Sequence, residues 1–273
     1  MKLVFFNYPS YKKLKQLVKQ VFQDTTNFSF VKREVKSFVV ISQERVGSTL
    51  LMDTLGSHPQ ISVDCHCFFT YKKLPHKFQI IKRQDYVRSR KNVYGYKFRA
   101  SYRPLEDDPE QFRELLQQLI SRGTVVIRLN RENKFLQVLS SLKAKHSGRL
   151  HSTDKSNKRE VLSSYNNTFN SFYIDTDTLL KRIKYYELLS NFEETSLQGL
   201  PYISLTYEEN LERSEYRKKT SERIFNALDL QPFPITTRYE KISKIKPFNY
   251  ISNYDQVIEC LRNEGYERYL DSL

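Results

Sequence analysis

In "ISQERVGSTLL" (Ile41–Leu51) a short polar turn carries Arg45, Gly47, Ser48 and Thr49 between an apolar run and a helix-competent segment. Those residue types suit anion binding. A glycine lets a phosphate approach the backbone closely, two hydroxyls add donors, and the first N–H groups of a following helix point at the ligand along the helix dipole. The turn has no lysine, so the G-x-x-x-x-G-K-[ST] pattern of phosphate-binding loops cannot be read into it. Glycine is scarce, with seven in the chain where average usage would give about 19. That scarcity argues for a purpose in Gly47. An ordinary strand-to-helix turn capped by Ser48 is the plain alternative.

The elements that must position this turn follow from periodicity. Phe38–Ile41 is a β-branched and aromatic run suited to a strand buried on both faces, and Thr49–Ser57 is a helix that Pro59 stops. Val93–Arg99 alternates as a strand with Lys97 at its end, Pro109–Ser121 is helical, and Thr124–Leu129 is a second buried strand. Glu132–Lys145, Leu179–Leu189, Leu211–Leu230 and Asp255–Asn263 read as helices and Tyr202–Thr206 as a strand. Residues 1–35 form a basic helical lead-in, and 146–170 a long polar surface loop. Strands alternating with helices imply an α/β fold of three layers around a mostly parallel sheet. In such sheets ligands sit beyond the carboxyl ends of the strands, which is where Gln43–Thr49 falls.

Composition sets the limits. A chain of 273 residues, 39% hydrophobic and 14% aromatic, suits one globular domain spanning 1–273 rather than a disordered tail. A net charge of +14 points to anionic partners: a nucleotide, a nucleic acid, an acidic glycan or glycolipid, or contact at the edge of a membrane. Three cysteines, at 65, 67 and 260, build no disulfide framework, and the first residues hold too short an apolar run for a signal peptide or anchor. The reading is a cytoplasmic protein. Cys65-His66-Cys67 is a poor metal site, because such close spacing cannot complete a tetrahedral shell. The cluster Lys72, Lys73, Lys77, Lys82, Arg83, Arg88, Arg90 and Lys91 is a solvated face that could attract an anionic glycan.

"RVGSTLLMDTLGSHPQI" resembles the phosphosulfate-binding loop of the sulfotransferase family, which reads R-S/T-G-S-T-L-L followed by a small residue, His and Pro. The resemblance implies a P-loop-like three-layer sandwich and, as sulfate donor, 3′-phosphoadenosine 5′-phosphosulfate (PAPS), with 3′,5′-ADP (PAP) as product. Arg45, Val46, Gly47, Ser48, Thr49 and Leu50 would hold the 5′-phosphosulfate, Val46 replacing a small polar residue whose backbone does the binding. The donor's 3′-phosphate needs a second basic site, and "VVIRLNRENKFLQVLSSLKA" supplies Arg131 and Ser140. The family's usual spacing would place the arginine at Glu132, so Arg131 serves from one position back or the site is weakened. Arg128, within the strand, is an ion-pairing alternative. "AKHSGRLH", "LTYEENLE" and "KIKPFNYISNYDQVIECLRNEGYERYL" are similar to later family motifs, with Leu150 in place of a tryptophan.

Sulfuryl transfer to a hydroxyl also needs a base near the acceptor and positive charge on the leaving oxygens. Relatives carry a glutamate in the stretch matching "SHPQISVDCHCFF". Aligned without gaps it falls on His66, a chemically suitable base, with Asp64 as the neighbouring alternative. Arg45 serves the leaving side, and Lys97 the sulfuryl group or an acidic acceptor. The acceptor implied is a hydroxyl of a carbohydrate or glycolipid, and no metal is called for. The rivals are a kinase-like phosphoryl transferase on the same fold, a basic nucleic-acid-binding protein, and an inactive family member.

Overall fold

Phe38, Val39, Val40 and Ile41 are all fully buried, and a strand with no polar face can only lie inside a sheet that is covered on both sides. The computed structural model describes residues 36–68, 92–98, 108–147, 171–239 and 247–271, with the side chains of 65–68 and 147 outside that description. Five strands, β1 (Lys36–Ser42), β2 (Ile61–Phe68), β3 (Val93–Phe98), β4 (Thr124–Asn130) and β5 (Ile203–Thr206), form one sheet in the order β2-β3-β1-β4-β5. Every pairing is parallel. The protein is α/β, as its alternating pattern predicts.

Successive residues of β1 serve opposite layers. Phe38 and Val40, with Ile127, Leu129 and Leu205, pack against Leu51, Met52 and Leu55 of α1 (Ser48–Gly56) and Ile224 and Phe225 of α6 (Ser214–Ala227). Val39, Ile41, Tyr94, Tyr96 and Phe98 face Phe112, Leu116 and Leu119 of α2 (Pro109–Ile120), and Phe192 and Leu197 of α4 (Thr176–Leu197). A third apolar cluster joins α4 to α3 (Lys134–Ser147) and α7 (Tyr254–Asn263) beside the sheet. Because every strand runs the same way, the carboxyl ends of β1, β3, β4 and β5 lie at one end of the sheet.

Several elements differ from the sequence reading. "ISVDCHCF" is strand β2 rather than loop; Ser62, Asp64, Cys65 and His66 hide its character, and parallel pairing with β3 imposes it. The helix expected at Leu179–Leu189 runs through 22 residues, capped by the Asp175 carboxylate. The helix expected at Leu211–Leu230 begins later, at Ser214, after a single turn, α5 (Tyr207–Asn210), capped by Thr206. The helix expected from Glu132 starts at Lys134 and continues through 146 and 147, the first two residues of the supposed surface loop. Residues 148–170, the lead-in 1–35 and the basic cluster of 72–91 lie outside the described residues.

Two buried features fix the sheet. Arg128 projects from β4 onto α4, donating to Glu194 at 2.9 Å, to Glu193 at 3.4 Å and to the Ser190 carbonyl at 3.3 Å. It is the structural ion pair anticipated for that position. Burial pushes the Glu193 carboxyl up to about 7, with Arg128 and Lys134 opposing. Gly95 in β3 pairs with Phe38, and a Cβ there would stand 2.0 Å from the Phe38 ring. Gly95→Ala therefore forces the ring aside. We expect it to lower the unfolding free energy by about 1–3 kcal/mol in denaturant titrations, and Phe38→Leu in the same chain to recover part of that loss.

Candidate functional site

β1 has neighbours on both sides that come later in the chain, β3 and β4. Its carboxyl end is thus the switch point where open parallel sheets bind ligands. The turn leaving it is anchored deep in the protein. Gln43, 2% exposed, donates to Ser190 Oγ at 3.0 Å, and Gln137 of α3 donates to both Gln43 Oε1 (3.1 Å) and the Glu44 carbonyl (2.9 Å). The Glu44 carboxylate accepts the Tyr186 hydroxyl at 2.6 Å. The neighbouring carboxylate comes second to burial in lifting that phenol above its ordinary range.

Two left-handed residues shape the tip, Arg45 at φ 62° and Gly47 at φ 87°. A non-glycine residue in that region costs of order 1–3 kcal/mol and persists only where its surroundings hold it. Arg45 is held at both ends: its Nε donates to Ser140 Oγ at 3.1 Å, and its carbonyl accepts from Arg131 at 3.3 Å. At Gly47 a Cβ would lie 2.8 Å from the Tyr207 ring. Val46 turns inward and is fully buried in the core, beside the partly buried Leu50, so only its backbone faces the turn. Gly47 begins α1 without any side-chain cap, and the first backbone bond to it comes from the Leu51 N–H at 3.0 Å. Among the described residues no acceptor takes the amide groups of Gly47, Ser48 and Thr49, the arrangement that favours a bound anion.

The charge that the turn lacks arrives from outside it. Lys97, at the end of β3 and 5% exposed, donates to Thr49 Oγ1 at 3.1 Å. Arg131, just past β4, reaches over from the other side. Its guanidinium stacks on Tyr207 with 4.8 Å to the ring centre and pairs with Glu208 at 3.7 Å, yet its buried Nε has no hydrogen-bond partner. Burial pulls both Arg45 and Arg131 below the usual arginine range; Glu44 opposes for Arg45 and the Tyr207–Glu208 side for Arg131. Arg131 also acts on Arg45 as a like charge.

The structure thus gathers Arg45, Gly47, Ser48, Thr49, Lys97, Arg131 and Ser140 at one end of the sheet, although Ser140 holds Arg45 rather than Arg131. Asp64 is placed differently. It sits within β2, 9% exposed, near the Tyr94 hydroxyl at 3.4 Å, and β2 is irregular between Asp64 and Cys67. His66 falls in that irregularity, a bulge of the kind that re-aims side chains beside active sites; its own side chain lies outside the described residues. Glu132 is exposed, and its backbone N–H donates to Glu208 at 3.1 Å. Gln43, Gln137, Tyr186, Tyr207 and Glu208 have no chemical signature in the sequence and join the candidate site only through position. "LTYEENLE" was the one trace of the last two.

Fold and side chains together define an α/β protein with an uncapped strand-to-helix turn at the switch point of a parallel sheet. No protein-family model matches the chain, and no curated protein matches it significantly. Among solved structures it is similar to polyphosphate kinase 2 from Arthrobacter aurescens TC1, at 11% identity and a TM-score of 0.41 over 91% of this chain and 83% of that one. Among the described residues no helix is long and apolar enough to cross a membrane, and no group of three or more His, Cys, Asp or Glu side chains is placed to hold a metal.

Gly47 offers a direct check. Gly47→Ala puts a side chain into a left-handed backbone and against Tyr207. We expect a loss of about 1–3 kcal/mol of stability by urea titration, and the loss of any thermal stabilisation that a phosphate-bearing ligand gives the wild type. Full retention of that stabilisation would remove the turn from the site.

Proposed function

We propose that the protein is a PAPS-dependent sulfotransferase whose β1–α1 turn holds the donor's 5′-phosphosulfate, with the acceptor hydroxyl on a carbohydrate or glycolipid. The observation that carries this reading is the meeting of Lys97 with Thr49 at a turn with no lysine of its own. A cation lies beside the anion cradle, where charge develops on the leaving oxygens during an in-line displacement. The residues present fit the donor. The uncapped amides of Gly47, Ser48 and Thr49 suit its 5′ end, and Arg131 and Ser140, both bonded to Arg45 of the same turn, suit a second anionic group beside it. The motif "RVGSTLLMDTLGSHPQ" supports sulfuryl transfer specifically, and β4 ends in Asn130, an amide rather than a magnesium-binding acid.

In this mechanism the turn amides and Lys97 stabilise the transferring group and the phosphate it leaves, while a base takes the acceptor's proton. His66, on the bulge at the end of β2, is the base we assign. Asp64 is buried inside the sheet beside Tyr94, a poor place from which to meet an acceptor. A phosphoryl-transfer reading is favoured by one observation, the pairing of Arg131 with Glu208, since a nucleotide with a free 3′-hydroxyl needs no cation there.

Thermal shift separates the two. The sulfotransferase reading expects 3′,5′-ADP to stabilise the protein without magnesium, and more than ADP or ATP does. The gain should be about 2.7 kcal/mol at a hundredfold excess over Kd. Equal or larger stabilisation by ATP with magnesium would overturn it in favour of phosphoryl transfer. For the base, His66→Ala should leave 3′,5′-ADP binding intact and lower turnover on a sulfate acceptor by about 10²–10⁴-fold, with Asp64→Asn having the smaller effect. Loss of turnover in Asp64→Asn alone would exchange the two roles.

A further inference from the structure

Glu208 occupies a position that a ligand's anion would otherwise suit. Its carboxylate accepts the backbone N–H groups of Glu132 at 3.1 Å and Asn133 at 3.3 Å, where α3 begins, and pairs with the Arg131 Nε at 3.7 Å. Those are an anion's partners: amides at a helix start and a guanidinium. Glu208 stands on α5, the single turn that follows β5, so a different part of the chain supplies it. It is about three-quarters buried, whereas Arg131 is 13% exposed with its Nε lacking a hydrogen-bond partner.

Resting on the PAPS reading above, we propose that Glu208 is a specificity-determining residue of the donor site. It competes with the donor's 3′-phosphate for Arg131 and so holds down the preference for 3′-phosphorylated nucleotides. Arg131 is the cation assigned to that phosphate, and Glu208 shares its charge. A dianionic group brought to Arg131 must either displace the carboxylate or sit beside it, and both cost binding energy. Glu212 and Tyr250 also act on Arg131, and Arg131 in turn acts as a like charge on Arg45. A nucleotide lacking the 3′-phosphate makes no demand on Arg131 and does not feel Glu208. The competition is local: Tyr207 carries the Arg131 stacking and the contact with Gly47, and Glu208 can lose its charge without disturbing either.

The test is calorimetric titration of 3′,5′-ADP and of AMP into the wild type and Glu208→Gln, at one ionic strength and without magnesium. Glutamine keeps an acceptor for the α3 amides and removes only the charge. The expected result is a gain of about tenfold in 3′,5′-ADP affinity with AMP changed by less than about twofold, and no gain when Arg131→Ala is combined with Glu208→Gln. An unchanged ratio of the two affinities overturns the proposal, and so does an equal change for both nucleotides. If Glu208→Gln does not fold, Glu208→Asp carries the measurement, because the shorter side chain draws the carboxylate back from Arg131. A wild type that prefers 3′,5′-ADP while neither variant shifts the ratio leaves the PAPS reading standing and removes this one. A wild type with no such preference that does not gain it in Glu208→Gln removes both.

Discussion

One guanidinium holds the candidate site together. Arg131 leaves the end of β4, lies on the Tyr207 ring, pairs with Glu208 and donates to the Arg45 carbonyl. Three strand ends are tied through it: β4 by the chain, β5 through Tyr207 and Glu208, and β1 through the turn that follows it. A turn with two left-handed residues does not hold that shape unaided, because each unusual backbone angle must be repaid by contacts that the extended alternatives lack. Arg131 and Gln137 supply those contacts from the α3 side, with Gln43 in turn bonded to Ser190 on α4. The shape of the turn is therefore a property of the whole sheet end.

This arrangement explains a cradle that carries no lysine. In a turn of this kind charge can be built into the loop or brought to it by neighbours. Here it is brought, by Lys97 from β3 and by Arg131 from β4, one from each side of β1. Charges on separate strands keep a fixed spacing set by the sheet, whereas a flexible loop residue would have to be ordered on binding. The cost is that Arg45 and Arg131 are like-charged neighbours: burial first, and Arg131 after it, hold the Arg45 guanidinium below its ordinary range against the opposing Glu44.

How much of this was legible depended on where the information resides. β1 and β4 were readable because Phe38–Ile41 and Val125–Ile127 are apolar without interruption, a pattern that only burial on both faces requires. The turn residues were readable because glycine before hydroxyls at a helix start has few other uses. β2 was not, since Ser62, Asp64 and His66 break the apolar pattern and pairing with β3 overrides it. The length of α4 was hidden for a similar reason: Glu193 and Ser190 look like surface residues until Arg128 and Gln43 are known to reach them. Glu208 illustrates the limit. Nothing in "TYEEN" distinguishes it from Glu209, and its partners are the Asn133 amide and Arg131, which are neighbours of Glu208 only once β4 and β5 lie side by side.

The strand order has a consequence for the birth of the protein. β1 is made first, yet both its partners, β3 and β4, come later, Lys36 aligning with Val93 and Ser37 with Thr124. At ribosomal speeds of about 5–20 residues per second, several seconds pass between the emergence of "FVVI" and that of the strand that closes its second edge. During that interval at least one edge of four apolar residues with a strong preference for extended structure stands unpaired, which is the circumstance that favours pairing with another nascent chain. A holding chaperone, or the basic residues that precede this strand, would have to keep copies apart until Thr124–Asn130 has been made.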